Sequence, residues 1–503
     1  MVTLNKTKIV IGLVKDTIKI NKQLLIFNNS KRGAEKTAED IAKKLDDKNE
    51  LIELHDLILN ILQKPTKQCE RLAFCIKKGV AFHHAGLVSK QRELIEENFR
   101  LGKIKVISST PTLAMGLDLP AYRVILKDLK RFGNRGMQYI PILEYKQMIG
   151  RAGRPKFDKE GEAISIALSE SEANEISNRF IFGEPEEILS KLAAEPALRT
   201  YILSLISSNF ITSKKDIFNF FSKTFWAFQY GDLNKLNFII DKMLKNLELW
   251  GLIQSNNNKD FLSATEFGVE EYKATLLGKR TAELYVDPYT SNHLVNCLNE
   301  VNEIDSFAFL QMISNTLEIR PQLNVKVSDM EMIEEILLQK SDNLLQKEPS
   351  QFDIEYEPFL CSIKTALFMQ NWIEENDEEF LMEKYGIRPG EIRMKLETAD
   401  WLLYTCEEIL RIIRKHNLIS EIRKLRVRLK YGVKEELLPL LRLKNIGRIR
   451  ARLLYRNNIK DLGDIKKIEF NKLSNLIGKK IAEDIKSQVG IKINDNVDLN
   501  NYS

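Results

Sequence analysis

The residues best placed to do chemistry in this sequence are one amide and two guanidiniums in the string Gln147-Met-Ile-Gly-Arg151-Ala-Gly-Arg154. On a helix they stand at i, i+4 and i+7, so all three are expected to project from a single face, with Gly150 and Gly153 removing bulk beside it. Two neighbouring arginines repel each other unless an anion lies between them, and their forked donors match phosphate oxygens. Two ordinary surface ion pairs are the plainer alternative. A second string, Ser109-Thr110-Pro111-Thr112-Leu-Ala-Met-Gly116-Leu-Asp118-Leu-Pro120, offers hydroxyls, a glycine turn and one carboxylate directly after a strand-like run. A third, Phe82-His83-His84-Ala85-Gly86-Leu87, ends another such run. Adjacent residues on a strand face opposite sides and no further His or Cys is near, so no metal is expected there.

Three more stretches carry a pattern. Asp128 to Ile140 holds two short strand-like runs about a Gly133 to Gly136 turn, which is a hairpin signal. After Pro389-Gly390, residues Ile392, Leu396, Ala399, Leu403 and Leu410 share one helix face, while Trp401 points away from them with Met394, Thr398 and Thr405. An indole on that polar side either stacks on a base, with Arg393 flanking it, or packs against a neighbouring domain. Near the end, Leu443-Lys-Asn-Ile446-Gly447-Arg448-Ile-Arg450-Ala451-Arg452 has the form of a helix-hairpin-helix, with Asn445 in place of the first glycine of the usual pair. Amides near Gly447 at a helix start, together with Arg448 and Arg450, suit a phosphate backbone; docking of a protein is the alternative.

Gln23–Phe27, Val80–His83, Lys105–Ser108 and Arg123–Leu126 read as buried strands, and Gly33–Lys44 reads as an amphipathic helix. This alternation predicts an α/β domain with a parallel sheet and its functional loops at the strand ends. Beyond about Leu168 the chain reads as mainly α. Glu195–Ser208, Ser213–Phe228 and Leu233–Trp250 give three helices, and Gly251–Ser263 gives a hairpin turning at Asn256 to Asn258, together a winged-helix pattern. The expected domains are residues 1–170 (α/β), 171–276 (linker and winged helix), 277–415 (a helical bundle) and 416–503 (a basic helix-hairpin-helix domain).

With 503 residues and 44% hydrophobic content the chain can bury several cores. No apolar run approaches the ~18 residues that span a bilayer, and the start is polar, so a cytoplasmic protein without a membrane partner is expected. The five cysteines are scattered without a CxxC pair and read as reduced packing residues. Net charge is +6, but residues 416–503 carry 20 Lys/Arg against 10 Asp/Glu, which points to a polyanionic partner for this end.

Taken in order, Asn29-Ser30-Lys31-Arg32, His83 to Leu87, Thr110 to Pro120 and Gln147 to Arg154 resemble motifs IV, IVa, V and VI of the archaeal Ski-like superfamily-two helicases. Similarity continues through Glu195 to Arg199, Gly278 to Glu283, Asp400 to Leu402 and Tyr431 to Tyr455, nearly the whole chain. The resemblance implies that residues 1–170 are the second RecA-like motor domain. Arg151 and Arg154 would then be arginine fingers reaching a γ-phosphate across a cleft, with Gln147 helping to position the site. Gly116 and Asp118 would couple nucleotide to strand contacts, although the family usually has Asn where Asp118 stands. Asn29, Ser30, Arg32, His84 and Thr110 would meet nucleic acid. Phe132 or Tyr139 would tip a wedge between duplex strands, unless this is a plain surface hairpin. Trp401 would be the stacking residue of a ratchet helix.

No G-x-x-x-x-G-K-[ST] string and no DExH or DExD box occurs. ATP and Mg2+ would therefore be held mainly by a first motor domain on a separate chain, and this polypeptide alone is expected not to hydrolyse ATP. The expected function is the C-terminal half or subunit of an ATP-dependent 3′ to 5′ DNA helicase acting on single-stranded and forked DNA in replication or repair. Two other readings stand beside it, a non-enzymatic single-strand-binding remnant and part of a Ski-like RNA helicase. The helix-hairpin-helix end favours DNA.

Overall fold

The computed structural model describes residues 5–62, 64–115, 119–133, 136–153, 158, 160–192, 194–256, 271–301, 303 and 305–490. They form two compact units: residues 1–188 with 378–394, and residues 189–377 with 395–503.

The first unit is built on a five-stranded parallel sheet in the order β2-β3-β1-β4-β7, where β1 is Leu24–Phe27, β2 Val80–His83, β3 Val106–Ser109, β4 Arg123–Leu126 and β7 Glu162–Ser165. Strands β1 to β4 are buried along their whole length, as expected of a parallel sheet covered on both faces. Phe27, Phe82 and Phe99 are among its largest buried side chains. A charged residue fits inside β4 because the Arg123 guanidinium is well paired: its Nε donates to Glu162, and its Nη1 lies within hydrogen-bond distance of Leu13 O, Asp16 and Thr17. Among the elements without a counterpart in the sequence reading are β7 and the helix Lys6–Lys19. The hairpin does form: β5, Lys130–Gly133, pairs antiparallel with β6, Gly136–Tyr139.

The second unit corrects two local expectations. The helix expected over Ser213–Phe228 is two, Lys214–Phe221 and Phe225–Tyr230, because Thr224 turns its hydroxyl back onto Phe221 O between them. Among the described residues, the strand after Gly251, β8 at Ile253–Ser255, pairs with β9, Tyr272–Ala274, farther along the chain than a tight turn at Asn256 would place its partner. Residues 257–270, which include Asn257 and Asn258 of that expected turn, lie outside the described residues. These helices and strands share a core that includes Leu203, Ile217, Ile240 and Tyr272. A helical region follows, joined internally by contacts such as Gln311 to Ser362. The C-terminal helices Arg448–Arg456, Phe470–Ile477 and Lys479–Gln488 close over a separate core of Leu440, Leu454, Leu473 and Ile485. All five cysteines are buried and free. Among the described residues, no helix is long and apolar enough to cross a membrane.

Candidate nucleotide-coupling and nucleic-acid site

The motif strings follow the carboxyl ends of β1, β2 and β3, where ligand sites of open α/β sheets gather. After β1, Asn28 is buried and bridges Ser108 and Thr37. Asn29 donates its amide to Lys130 O at 2.8 Å, the first residue of the hairpin. Ser30 caps the helix Lys31–Ala42 by accepting from Gly33 N–H, and Arg32 is exposed. After β2, His84, expected on nucleic acid, is fully buried: its Nε2 lies 3.0 Å from Glu35 and its Nδ1 accepts the Gly86 N–H. Burial pushes its pKa down. A neutral ring donating to a carboxylate is thus a structural tie, and the expectation that it touches a strand is corrected. His83 is tied to Glu96 in the same neutral sense, and no group of three His, Cys, Asp or Glu that could hold a metal occurs among the described residues. After β3, Thr110 is buried and shares a hydrogen bond with Thr112. Gly116 and Asp118 lie outside the described residues.

The Gln147 to Arg154 string departs from the helical face expected of it. The helix Ile142–Ile149 carries Gln147, which is exposed, but ends at Gly150. The chain then runs alongside Ala121, through Ala121 N–H to Arg151 O at 2.9 Å and Gly153 N–H to Ala121 O at 2.7 Å. These bonds compete successfully with another helical turn. Arg151 Nε and Nη2 both donate to Ala114 O, so this guanidinium braces the loop after β3. Arg154 lies outside the described residues.

The hairpin presents an apolar tip on a polar root. Phe132 is 82% exposed and pairs across the strands with Met137, 58% exposed. The root is fastened on both strands: Asn29 holds Lys130, Glu144 holds Arg131, and Tyr139 donates to Glu175 while the ammonium of Lys130 and the guanidinium of Arg179 lie over its ring. Phe132 is therefore free to meet a base, whereas Tyr139 anchors. Sequence reasoning missed Met137; with two residues between Gly133 and Gly136, the register would have placed it opposite Phe132.

In the second unit, Trp401 is half-buried and its indole N–H donates to Leu284 O at 3.1 Å, so one edge is fixed within the protein. Arg393, placed with the first unit, is exposed and pairs with Glu378. Asn445 adopts φ +64°, the left-handed conformation that glycine usually supplies and asparagine tolerates, and Gly447 begins the helix Arg448–Arg456 in extended backbone. Arg450 is exposed and donates to Asn445 O, while Arg448 lies over the Trp372 ring.

A parallel sheet with these strings at its strand ends, followed by a mainly helical unit, defines the C-terminal part of a superfamily-two helicase. The family described as the helicase conserved C-terminal domain matches residues 5–156, and archaeal helicase, domain 4, matches residues 307–432. The chain is 38% identical over 491 residues to the ATP-dependent DNA helicase Hel308 of Pyrococcus horikoshii, covering 96% of this chain and 66% of that protein. It is 37% identical over 517 aligned residues to Hel308 of Methanococcus vannielii, covering 95% and 67%. The chain belongs to the Hel308 family of ATP-dependent DNA helicases and spans about two thirds of the length of the curated relatives it matches.

Proposed function

We propose that this chain supplies the second motor domain and the strand-handling domains of a 3′ to 5′ DNA helicase, working with a first motor domain that grips ATP and Mg2+. The observation that carries this reading is the exposed Phe132 and Met137 tip on a hairpin rooted in the motor sheet. Opening a duplex costs ~1.4 kcal/mol per stacked step, and an aromatic tip replaces part of the stacking that is lost. Gln147 and Arg154 would face the triphosphate, Arg151 would brace the adjoining loop, and Gly116 and Asp118 would relay its state. Trp401, Gly447, Arg448 and Arg450 would handle single-stranded or forked DNA, and the domains would divide at about residues 170, 276 and 415. The basic helix-hairpin-helix end supports DNA over RNA as the substrate, and a cytoplasmic setting fits this reading.

The test is strand separation on a forked duplex by this chain together with a candidate partner bearing the G-x-x-x-x-G-K-[ST] and DExH motifs. Arg154→Ala is expected to abolish ATP-driven unwinding while single-strand binding survives, since such an arginine is worth ~10³ to 10⁵ in rate. Unwinding unchanged by that substitution would leave a passive strand-holder.

A further inference from the structure

Glu35 is a carboxylate only 3% exposed, yet four donors converge on it. Gln68 Nε2, His84 Nε2 and Arg388 Nε lie 2.9, 3.0 and 3.0 Å from one oxygen, and Arg71 Nη1 lies 3.1 Å from the other. Burial alone would raise its pKa; the bonds from His84, Arg388 and Gln68 and the Arg388 charge outweigh burial and bring it down to about 2. The group is ionised at any ordinary pH, and nothing in the site chemistry described above uses it.

Arg388 belongs to residues 378–394, which form part of the compact unit of the motor sheet although they lie far away in sequence. Their seat is close-fitting. Gly390 N–H donates to Gly86 O at 3.0 Å, and a Cβ on Gly390 would stand 2.4 Å from Leu87 O and 2.5 Å from Ala85 O. Glu391 accepts from Arg388 N–H and pairs with Lys31 of the helix that also carries Glu35. Pro389 begins one continuous α-helix that runs to Ile412 and carries Trp401.

We propose that Glu35 is a positioning residue, which by anchoring Arg388 fixes the first turn of the Trp401 helix to the motor domain so that motor movement is delivered to that helix. The inference rests on the helicase reading above. An interaction that only held the fold together would, on removal, lower hydrolysis and strand separation alike. A positioning contact divides them, because the nucleotide site stays intact while the helix base becomes loose.

The test uses Glu35→Gln, Arg388→Gln, the double variant, and Gly390→Ala as an independent disruption of the same seat. In the chain alone, amide hydrogen exchange at residues 386–394 is expected to rise about tenfold or more in each, with the strands of the sheet unchanged. In the assembled helicase, oligonucleotide-stimulated ATP hydrolysis should stay within about twofold of the parent while base pairs opened per ATP fall at least about fivefold, and the double variant should be no worse than the more affected single one. Unchanged exchange at residues 386–394, or equal losses of hydrolysis and unwinding, would overturn the proposal. Should Glu35→Gln fail to fold, Arg388→Gln and Gly390→Ala decide it. A parent assembly that hydrolyses no ATP would defeat the helicase reading instead, and the exchange measurement would still decide whether Glu35 anchors the helix.

Discussion

Phe132 and Tyr139 stand on paired strands of one small hairpin, yet their surroundings assign them opposite duties. The Phe132 ring is left 82% exposed, whereas Tyr139 is bound through its hydroxyl and flanked by two cations. Phe132→Ala should therefore leave the unfolding free energy within about 0.5 kcal/mol of the parent. Its cost should fall on strand separation, about tenfold in rate, if the ring replaces one lost stacking partner. Tyr139→Phe should do the reverse, costing about 1 kcal/mol of stability for the lost hydrogen bond with little effect on an ATP-driven step once folded. Chemical denaturation beside a fork-unwinding assay separates the two, and equal kinetic losses in both variants would remove the distinction. The sequence pointed to both aromatics without telling them apart, because the difference lies in Glu175 and Arg179, some forty residues away, which no local pattern connects to Tyr139.

Strands β1 to β4 could be read directly because burial on both faces concentrates apolar residues in each, Leu24–Phe27 most fully. The strand β7, Glu-Ala-Ile-Ser, pairs only with β4 at the sheet edge, carries a charged residue, and looks like loop in isolation. The motif helix ends at Gly150 for an equally non-local reason, the bonds that Ala121 offers to Arg151 and Gly153. The same stretch requires a glycine partner: a Cβ on Gly161 would fall 2.2 Å from Gly153 N, a clash with backbone that cannot turn aside. Gly161→Ala is expected to cost about 1 to 3 kcal/mol, seen as a lower thermal midpoint, whereas Gly102→Ala, which meets no neighbour, should show only the penalty of its positive φ. A Gly161→Ala midpoint equal to the parent's would mean that this crossing is looser than its geometry indicates. The Glu35 to Arg388 contact, spanning most of the chain, was beyond sequence reading altogether.

For the molecule as a whole, three histidines, two of them buried and His293 partly so, contribute to the response to acid. His83, His84 and His293 all have pKa values lowered chiefly by burial, so each prefers to be neutral in the folded state. An unfolded chain takes up protons on these rings at ~6.5, before the folded one does. Their contribution is complete above that value and is lost as the pH falls below it. Glu35, held down to about 2, adds a second loss that sets in as the pH falls through the ordinary carboxylate value of 4.5 and is complete only near 2. Urea midpoints should be flat from pH 8 to 7 and decline from about pH 6.5 to 5, with the decline reduced in His293→Gln. A midpoint constant down to pH 5 would show that these rings titrate as freely in the fold as outside it.

The Asn29 amide bonded to Lys130 O has a mechanical meaning. A plough that bends when it meets the furrow spends the push on itself. Bolting the blade of the hairpin to the motif that follows the first strand of the sheet makes blade and chassis one stiff piece, so that, on the function proposed above, force from the fuel would reach the paired bases with little lost to flexing of the tool.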